Sequence, residues 1–419
     1  MNQAFISQFP ALKRKVNDKT LVFLDGPGGT QVPTPVIDSI SHYYENSNAN
    51  SHGPFITSQE TDDVIEGARE RMADLLGAEG SHNISFGANM TSLAYSLSRA
   101  IGRMLRPGDE IIITQLDHEA NRGPWLALRE QGIIVKEIWL KDDGTLDYEQ
   151  LVVHMNHRTR MVAMGWASNI LGTVNDVKKV RRITHRHNAW LLLDAVHYAP
   201  HFPIDVAEIG CDFLLCSAYK FYGPHVGILY SKTGLLDRLP TDRLRTADQH
   251  APYSIETGTQ NHAAFAGVYA TIDFLASFGK GETRREKLLN TMLSIRHYER
   301  ELFMKFCKEI SKIRDITILG LPPKAENRTP TLAITFRNKK PQLICEKLAA
   351  NNICAWHGHF YAVRAVEILG LAEHGGVTRL GLSAYSTEND CDRTIEVLKS
   401  LSTRPTSLIF HSTDNSPTE

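Results

Sequence analysis

The stretch Asp212-Phe-Leu-Leu-Cys-Ser-Ala-Tyr-Lys220-Phe-Tyr-Gly-Pro224 is the most informative part of this chain of 419 residues. Its apolar run ends in the small hydroxyl residue Ser217, and Lys220 and a Gly-Pro turn follow. An amine at the end of a buried strand is partly desolvated, and desolvation favours its neutral form. Because a neutral lysine is a nucleophile towards aldehydes, the stretch is suited to a Schiff-base lysine. For Lys220 in isolation, a side chain that simply reaches solvent is the better explanation, so its context decides.

A second apolar run, Ala189-Trp-Leu-Leu-Leu-Asp194, supplies that context. A continuous apolar run closed by an acid predicts a central parallel strand with Asp194 at its carboxyl end. By itself, Asp194 is explained equally well as the N-cap of a helix. Pyridoxal phosphate, however, forms a Schiff base with a lysine and needs an acid beside its pyridine nitrogen. Lys220 and Asp194 together therefore predict pyridoxal 5′-phosphate as the cofactor.

The composition is that of a globular protein, and it excludes several classes of partner. Hydrophobic residues make up 42% and charged residues 22% of the chain, which is ordinary for a soluble protein. Lys and Arg number 46 against 47 Asp and Glu, so no global basic field attracts nucleic acid or anionic lipid. There is no signal-peptide segment and no run of ~18 apolar residues. The six cysteines form no Cys-x-x-Cys pair. We expect a cytoplasmic protein with reduced thiols.

Short apolar runs alternate with helical stretches from about residue 60 to 280, which predicts an open α/β sheet with helices on both faces. The predicted strands of this part are 110–114, 133–138, 160–166, 189–194, 212–217 and 226–230. A long amphipathic stretch then leads into an α+β pattern, with strand-like runs at 331–336 and 377–384 and a helix at 388–401. We divide the chain into an N-terminal arm packing with the small domain (1–20), a large cofactor-binding domain (21–280), a small α+β domain (281–410) and a disordered tail (411–419).

Polar side chains gather after four of the predicted strands. They are His118, Asn169, the pair Asp194 and His197, and the pair Ser217 and Lys220. Each alone is explained by a loop histidine, a turn former or a satisfied core histidine. In open α/β sheets, however, ligands bind beyond the carboxyl ends of the strands. Four strand ends that all carry a cofactor-compatible group therefore predict one binding edge.

The turn Gly87-Ala88-Asn89 lies between a predicted strand and a helix that starts at Met90. Free backbone N–H groups and the helix dipole at such a position favour a phosphate group. Another Gly-rich loop, Asp25-Gly-Pro-Gly-Gly-Thr30, lacks the Gly-Lys-Ser/Thr of a P-loop, so we reject nucleotide binding there. We therefore expect the turn at Asn89 to bind the phosphate of the cofactor.

Two histidine pairs raise the possibility of a metal site. They are His185 with His187, and His357 with His359. Both spacings place two rings poorly for one ion, and no cysteine or acid completes either set. Solvated helix surface explains the first pair, and the role of the second pair stays open. We expect no metal.

As an ordered set, several motifs resemble the class V aminotransferase family of fold-type I pyridoxal phosphate enzymes, most closely its cysteine desulfurase branch. The motifs lie at 24–31, 117–121, 168–173, 194–197, 217–224, 256–259 and 379–382. The resemblance covers residues 20 to 400. It implies a large α/β domain with a mostly parallel sheet of seven-stranded type, a small α+β C-terminal domain, an amino-acid substrate and a homodimer.

The resemblance also implies roles for individual residues. Lys220 carries the Schiff base and moves the Cα proton, and Asp194 and His118 assist it as catalytic residues at the ring. The implied cofactor contacts are Ala88, Asn89, Met90, His118, Asn169, Asp194, His197, Ser217, Tyr219, Lys220 and, from the neighbouring subunit, Thr259. The implied substrate contacts are Gly28, Gly29, Asn169, Trp356, Tyr361 and Arg379, whose guanidinium suits a bidentate grip on a carboxylate.

One departure from the desulfurase pattern governs the predicted reaction. Tyr361 stands where a desulfurase carries its persulfide-forming cysteine, and Trp356 replaces the loop arginine. The default for Cys354 is a structural thiol, because the run around Ile353 is apolar. We therefore predict Cα-carbanion chemistry on an L-amino acid, with β-elimination by a C–S lyase or the related epimerase or aminotransferase reactions first. The alternatives are a cysteine desulfurase that uses another thiol and a non-catalytic pyridoxal-binding protein.

Overall fold

The computed structural model describes residues 3–402. The predicted disordered tail at 411–419, and residues 403–410 of the predicted small domain, lie outside the described residues. The strands are β1 Lys15–Val16, β2 Lys19–Thr20, β3 Val22–Phe23, β4 Ile84–Gly87, β5 Glu110–Thr114, β6 Ile134–Ile138, β7 Thr159–Gly165, β8 Trp190–Asp194, β9 Phe213–Ser217, β10 Gly227–Ser231, β11 Ile316–Ile318, β12 Thr331–Phe336, β13 Ile353–Cys354, β14 Trp356–Gly358 and β15 Val377–Gly381.

A seven-stranded sheet in the order β4-β10-β9-β8-β7-β5-β6 forms the centre of the fold. Strands β6, β5, β7, β8 and β9 are parallel, and β10 runs antiparallel between β9 and β4. The apolar run before Asp194 is buried along Leu191, Leu192 and Leu193, as expected for a strand covered on both faces. The predicted α/β fold is confirmed, and the predicted strands of this sheet differ from the observed ones by at most one residue at either end.

Helices cover the two faces of this sheet and lead into the C-terminal part. They are α1 Gln3–Ile6, α2 Thr34–Asn46, α3 Ile56–Leu76, α4 Met90–Gly102, α5 Gly123–Leu126, α6 Tyr148–His154, α7 Val177–Arg186, α8 Val206–Ile209, α9 His262–Ala276, α10 Arg284–Ile310, α11 Pro341–Ala349, α12 Val363–Ile368 and α13 Glu388–Leu401. The long helix α10 begins at a capping box, in which Thr283 and Glu286 satisfy each other's backbone N–H groups. None of the helices in residues 3–402 combines the length and the apolarity needed to span a bilayer.

A second sheet of four antiparallel strands, in the order β11-β12-β15-β14, lies beyond α10. Its core is separate from that of the large sheet and includes Phe303 and Phe306 of α10 together with Ile334 and Leu380. The N-terminal arm contacts both parts of the fold. The rings of Phe5 and Phe9 contact Tyr222 and Phe274 of the large core, and the Val16 carbonyl accepts a 2.7 Å hydrogen bond from Asn352 Nδ2 of the C-terminal part. Strand β15 of the second sheet carries Arg379 towards the large sheet.

A buried ion pair ties helix α3 to the edge of the large sheet. The Arg69 guanidinium donates two hydrogen bonds of 2.7 Å to the Glu256 carboxylate and one of 2.5 Å to the Ile84 carbonyl. The Glu256 carboxylate also accepts the Phe86 N–H at 2.6 Å. Arg69 and Glu256 are 1% and 7% exposed, so removal of either partner leaves a desolvated charge without compensation.

We therefore expect Arg69→Ala to lower the free energy of unfolding by about 3–5 kcal/mol, because Glu256 is left charged and unpaired. Denaturant-induced unfolding followed by circular dichroism measures the change. The matched control is Lys305→Ala, which removes an exposed ion pair with Glu388 and should leave the unfolding midpoint unchanged. Equal midpoints for the two variants would contradict the importance of the buried pair.

Candidate active site

A cavity of ≈ 300 Å³ lies beyond the carboxyl ends of the parallel strands. The predicted residues that line it are Gly28, Asn89, Met90, His118, Asn169, Asp194, His197, Ser217, Tyr219, Lys220, Trp356, Tyr361 and Arg379. Ala88, Gly29 and Thr259 do not belong to its lining, and the Thr259 side chain is exposed. Neighbouring ends of parallel strands thus bring most of the predicted residues together, and their individual roles stay predictions.

Lys220 and Asp194 meet in this cavity from adjacent strands. Lys220 ends a one-turn 3-10 helix after β9, and its Nζ donates a 2.5 Å hydrogen bond to the Pro27 carbonyl. Desolvation, helped by the nearby Arg379 charge, lowers the pKa of Lys220 to about 7, although the Asp194 charge opposes the shift. Burial raises the pKa of Asp194, and its Oδ1 accepts the Val196 N–H at 2.9 Å. The environment thus favours a neutral, nucleophilic amine near an acid.

Asp117 is a second buried acid on the cavity wall, and it holds three chain segments together. Its Oδ1 accepts the Gly165 N–H at 2.8 Å, and its Oδ2 accepts the Asn121 Nδ2–H at 3.2 Å and the Thr114 N–H at 3.3 Å. The ends of β5 and β7 are therefore joined through one carboxylate. Its charge also contributes to the raised pKa of Asp194. Asp117 thus positions the strand ends through its hydrogen bonds and favours the protonated form of Asp194 through its charge.

The N-terminus of α4 opens onto the cavity and is suited to an anion. Asn89 caps this helix by accepting the Ser92 N–H at 2.9 Å, and the Met90 N–H donates to Ser217 Oγ at 3.2 Å. Gly227 allows this approach, because a Cβ there would lie 2.3 Å from the Asn89 carbonyl carbon. The helix terminus, Ser217 and the neighbouring Thr91 side chain suit a phosphate group.

Two histidines on the cavity wall are neutral. Desolvation lowers the pKa of His118 to about 4, and its Nδ1 accepts the Ala120 N–H at 3.0 Å, so Nε2 carries the proton. Burial also lowers the pKa of His197 well below its usual range, and its Nε2 lies 2.9 Å from Thr331 Oγ1. Both rings can therefore contact a cofactor without adding charge.

Arg379 enters the cavity from β15 and remains able to bind an anion. Its Nη1 donates to the Asn169 carbonyl at 3.0 Å, and its guanidinium lies 3.9 Å from the centre of the Phe360 ring. Burial lowers the pKa of Arg379 to about 9, whereas the nearby Asp25 charge raises it. The arginine is therefore cationic at neutral pH and available to a carboxylate.

None of the six cysteines lines the cavity, and all six lie within residues 3–402. Cys354 is half-buried on β13, and desolvation and the Asp25 charge raise the pKa of its thiol. Trp356 and Tyr361 do line the cavity and are 58% and 66% exposed. The wall near Arg379 therefore presents aromatic rings and no thiolate.

The family model described as aminotransferase class-V matches residues 22–394. The chain belongs to the class V aminotransferase family. Two curated relatives of this class V chain are similar over almost their full lengths. A probable cysteine desulfurase of Halalkalibacterium halodurans is 31% identical, over 92% of this chain and 94% of the relative. A cysteine desulfurase of Pectobacterium atrosepticum is 29% identical, over 94% of this chain and 96% of the relative. The predicted family membership is confirmed.

Solved structures show the same fold. The cysteine desulfurase CsdA from Escherichia coli, solved in an S-sulfonic acid form, has a TM-score of 0.82 and 25% identity, covering 96% of this chain and 98% of that chain. A cysteine desulfurase from Thermococcus onnurineus has a TM-score of 0.83 and 22% identity, covering 91% of this chain and 94% of that chain. The class V fold of this chain is therefore that of a pyridoxal phosphate enzyme.

Class V aminotransferases use pyridoxal 5′-phosphate, and it is the cofactor of this chain. The residues present fit the group. An amine with a lowered pKa and an acid share one cavity, and a capped helix N-terminus opens onto the same cavity. Lys220, Asp194 and the α4 terminus would therefore hold the aldehyde, pyridine and phosphate parts respectively.

Sequence reasoning missed four residues on or beside the cavity. Asp117 was part of a recognised motif but received no role, although an acid directly after a strand was an available signal. Phe360, Thr91 and Asn175 also line the cavity. Asn175 Oδ1 is buried without a hydrogen-bond partner among the described residues. No local pattern distinguishes Phe360, Thr91 and Asn175, because their positions depend on contacts between distant segments.

The low pKa of Lys220 predicts its reactivity in the cofactor-free protein. Reductive methylation by formaldehyde requires a neutral amine, so labelling of Lys220 should rise as the pH passes about 7. Arg379→Met should move this midpoint up, because it removes a nearby cation, and Asp194→Asn should move it down, because it removes an anion. Peptide mass spectrometry measures the labelling at each lysine.

Lys305 is the internal control, because its ion pair with Glu388 raises its pKa above the usual lysine value. Its labelling should require a much higher pH than that of Lys220. Parallel pH profiles for the two lysines would contradict the assignment of Lys220 as the neutral amine.

Proposed function

We propose that this chain is a pyridoxal phosphate enzyme that removes the Cα proton of a cysteine-like L-amino acid and breaks its Cβ–S bond. The observation that carries the proposal is the shared cavity of Lys220, Asp194 and Arg379. The names of the relatives support cysteine as the parent of the substrate. They favour the desulfurase reaction, our alternative from the sequence, over the elimination that we placed first.

The residues divide the work of binding and proton transfer. When bound, the cofactor withdraws electrons from Cα through its protonated ring. Asp194 would keep the proton on the pyridine nitrogen, and Arg379 would orient the substrate carboxylate through paired N–H donors. Lys220 Nζ would then accept the Cα proton as a general base, because its low pKa keeps it neutral. Neutral His118 would cover the ring without repelling its positive charge.

The fate of the sulfur separates two candidate reactions. In elimination, the electrons of the Cα–H bond form a Cα=Cβ double bond and the sulfur departs with the electrons of the Cβ–S bond. Pyruvate, ammonia and sulfide are then the products from cysteine. In desulfuration, alanine forms and a protein thiolate keeps the sulfur. The lack of a cysteine in the cavity lining supports elimination, whereas the relatives support desulfuration.

We also propose a homodimer in which Thr259 reaches the partner's cavity. Thr259 is exposed and lies outside the cavity of its own chain. The segment that carries it is anchored nearby, because Glu256, three positions before Thr259, is hydrogen-bonded to Arg69. Sedimentation should therefore report a dimer, and Thr259→Ala should weaken the binding of pyridoxal phosphate by about tenfold, as expected for one lost hydrogen bond to a charged group. A monomer that binds the cofactor equally well would refute this arrangement.

Product analysis distinguishes the two fates of sulfur. The cofactor-loaded protein should convert L-cysteine to pyruvate and sulfide, and Cys354→Ser should do so at the same rate. Lys220→Ala should lose at least about 100-fold in kcat, because it removes the general base. Lys232→Ala, which removes an exposed lysine outside the cavity, is the control and should retain wild-type turnover.

Alanine together with protein-bound sulfur, both lost in Cys354→Ser, would instead establish desulfuration through Cys354. Loss of a Cα isotope label without any product would indicate epimerisation. Turnover by Lys220→Ala at the wild-type rate would remove the proposal of a lysine-dependent enzyme.

A further inference from the structure

Four ring side chains line the cavity, and we name this set the aromatic rim: His118, Trp356, Phe360 and Tyr361. The rings of His118 and Tyr361 lie 5.3 Å apart. Phe360 lies against the Arg379 guanidinium, and Trp356 pairs with Arg379 across β14 and β15. The rim therefore borders the arginine to which the proposed function assigns the substrate carboxylate.

The two outer rings of the rim are exposed although they are large and apolar. Trp356 is 58% and Tyr361 66% exposed. Exposed apolar surface beside a cavity is typical of a ligand-binding site. Aromatic side chains offer flat surfaces on which another ring can stack. The rim is thus suited to an aromatic group that projects from the cavity towards solvent.

The rim is held in place by the backbone and not left as a mobile loop. Phe360 and Tyr361 both have left-handed backbone conformations, with φ of 52° and 59°, which are costly for residues with bulky side chains. Asn169 Nδ2 donates to the Phe360 carbonyl at 2.9 Å, and the Glu119 N–H donates to the Tyr361 carbonyl at 2.7 Å. Both residues are thus held in a strained conformation by a hydrogen bond to each carbonyl. Such strain is typical of functional sites, which suggests that the placement of the two rings matters for function.

The rim carries no formal charge at neutral pH. His118 is neutral because desolvation lowers its pKa to about 4, and the other three rings are uncharged. Arg379 is the adjacent cation, and the α-carboxylate of the substrate would occupy it. A second charge on the substrate side chain would therefore gain no ion-pair partner from the four rings of the rim.

We propose that the aromatic rim selects L-cysteine S-conjugates in which the sulfur carries an aromatic group, in preference to free cysteine. This inference rests on the proposed function and names its substrate class. The Cβ–S bond breaks with both electrons going to the sulfur, which leaves as an arenethiolate. Lys220 Nζ takes the Cα proton, a Cα=Cβ bond forms, and water then converts the remainder to pyruvate and ammonia. The reaction needs no oxidant, reductant or protein thiol.

Two experiments on the cofactor-loaded full chain test the proposal. The first compares kcat/KM for S-phenyl-L-cysteine, L-cysteine and S-carboxymethyl-L-cysteine by pyruvate release. The second measures binding without C–S cleavage, from the change in the visible spectrum of the cofactor. It compares L-homophenylalanine, in which CH₂ replaces the sulfur of S-phenylcysteine, with L-2-aminobutanoate, in which CH₃ replaces the SH of cysteine.

We expect S-phenylcysteine and homophenylalanine to be preferred about tenfold or more over their smaller counterparts, and the carboxymethyl compound to be the poorest substrate. Trp356→Ala and Tyr361→Ala should each reduce the aromatic preference by roughly three- to tenfold, the range for one ring contact. Trp356→Phe and Tyr361→Phe should retain most of it. Trp139→Ala is the matched control, because Trp139 is also 58% exposed but lies outside the cavity.

Equal binding of homophenylalanine and 2-aminobutanoate would overturn the proposal. A uniform loss for all ligands in the rim variants would overturn it as well, since it would indicate only a structural role for the rings. If homophenylalanine binds preferentially but no sulfur compound is cleaved, the proposed C–S cleavage fails, and with it the S-conjugate substrate class.

Discussion

The burial of Asp194 and Lys220 at the ends of two neighbouring parallel strands constrains the rest of the structure. Removing either charge from water costs several kcal/mol, and each group partly offsets the cost of the other. The offset depends on the register of β8 and β9, in which Asp194 pairs with Leu215. Ser217 and Lys220 then follow just beyond the same edge of the sheet. A shift of register would separate the acid from the amine and remove this mutual stabilisation.

The remainder of the large sheet stabilises this edge through contacts between segments far apart in the chain. Asp117 joins the ends of β5 and β7 by accepting backbone N–H groups from both. Gly227 lets the turn at Asn89 lie directly on β10. Arg69 and Glu256 fix the outer strand β4 by hydrogen bonds to the backbone of Ile84 and Phe86. The first two contacts position residues of the cavity wall, and the third holds the edge strand of the same sheet.

The sheet and the central part of the site were predictable from the sequence because their signal is local. An apolar run followed by a polar residue marks a buried strand and its functional end, as in β8 with Asp194 and β9 with Lys220. An acid shortly after the strand β5 was a local signal for Asp117, but its bridging contact was not predictable, since it joins Gly165 on a separate strand. The left-handed pair Phe360 and Tyr361 has no composition signal, because neither residue type favours that conformation. The contact of Thr259 with a partner subunit stays a prediction.

The hydrogen bond from Arg379 to the Asn169 carbonyl crosses between the two sheets. Arg379 belongs to β15 of the smaller sheet, and Asn169 follows β7 of the larger one. Any hinge motion that separates the sheets must break this bond and withdraw the guanidinium from the cavity. A carboxylate bound to Arg379, as we propose for the substrate, would lose its contact in the same motion. Opening of the cavity between the two sheets and release of that carboxylate would therefore occur together.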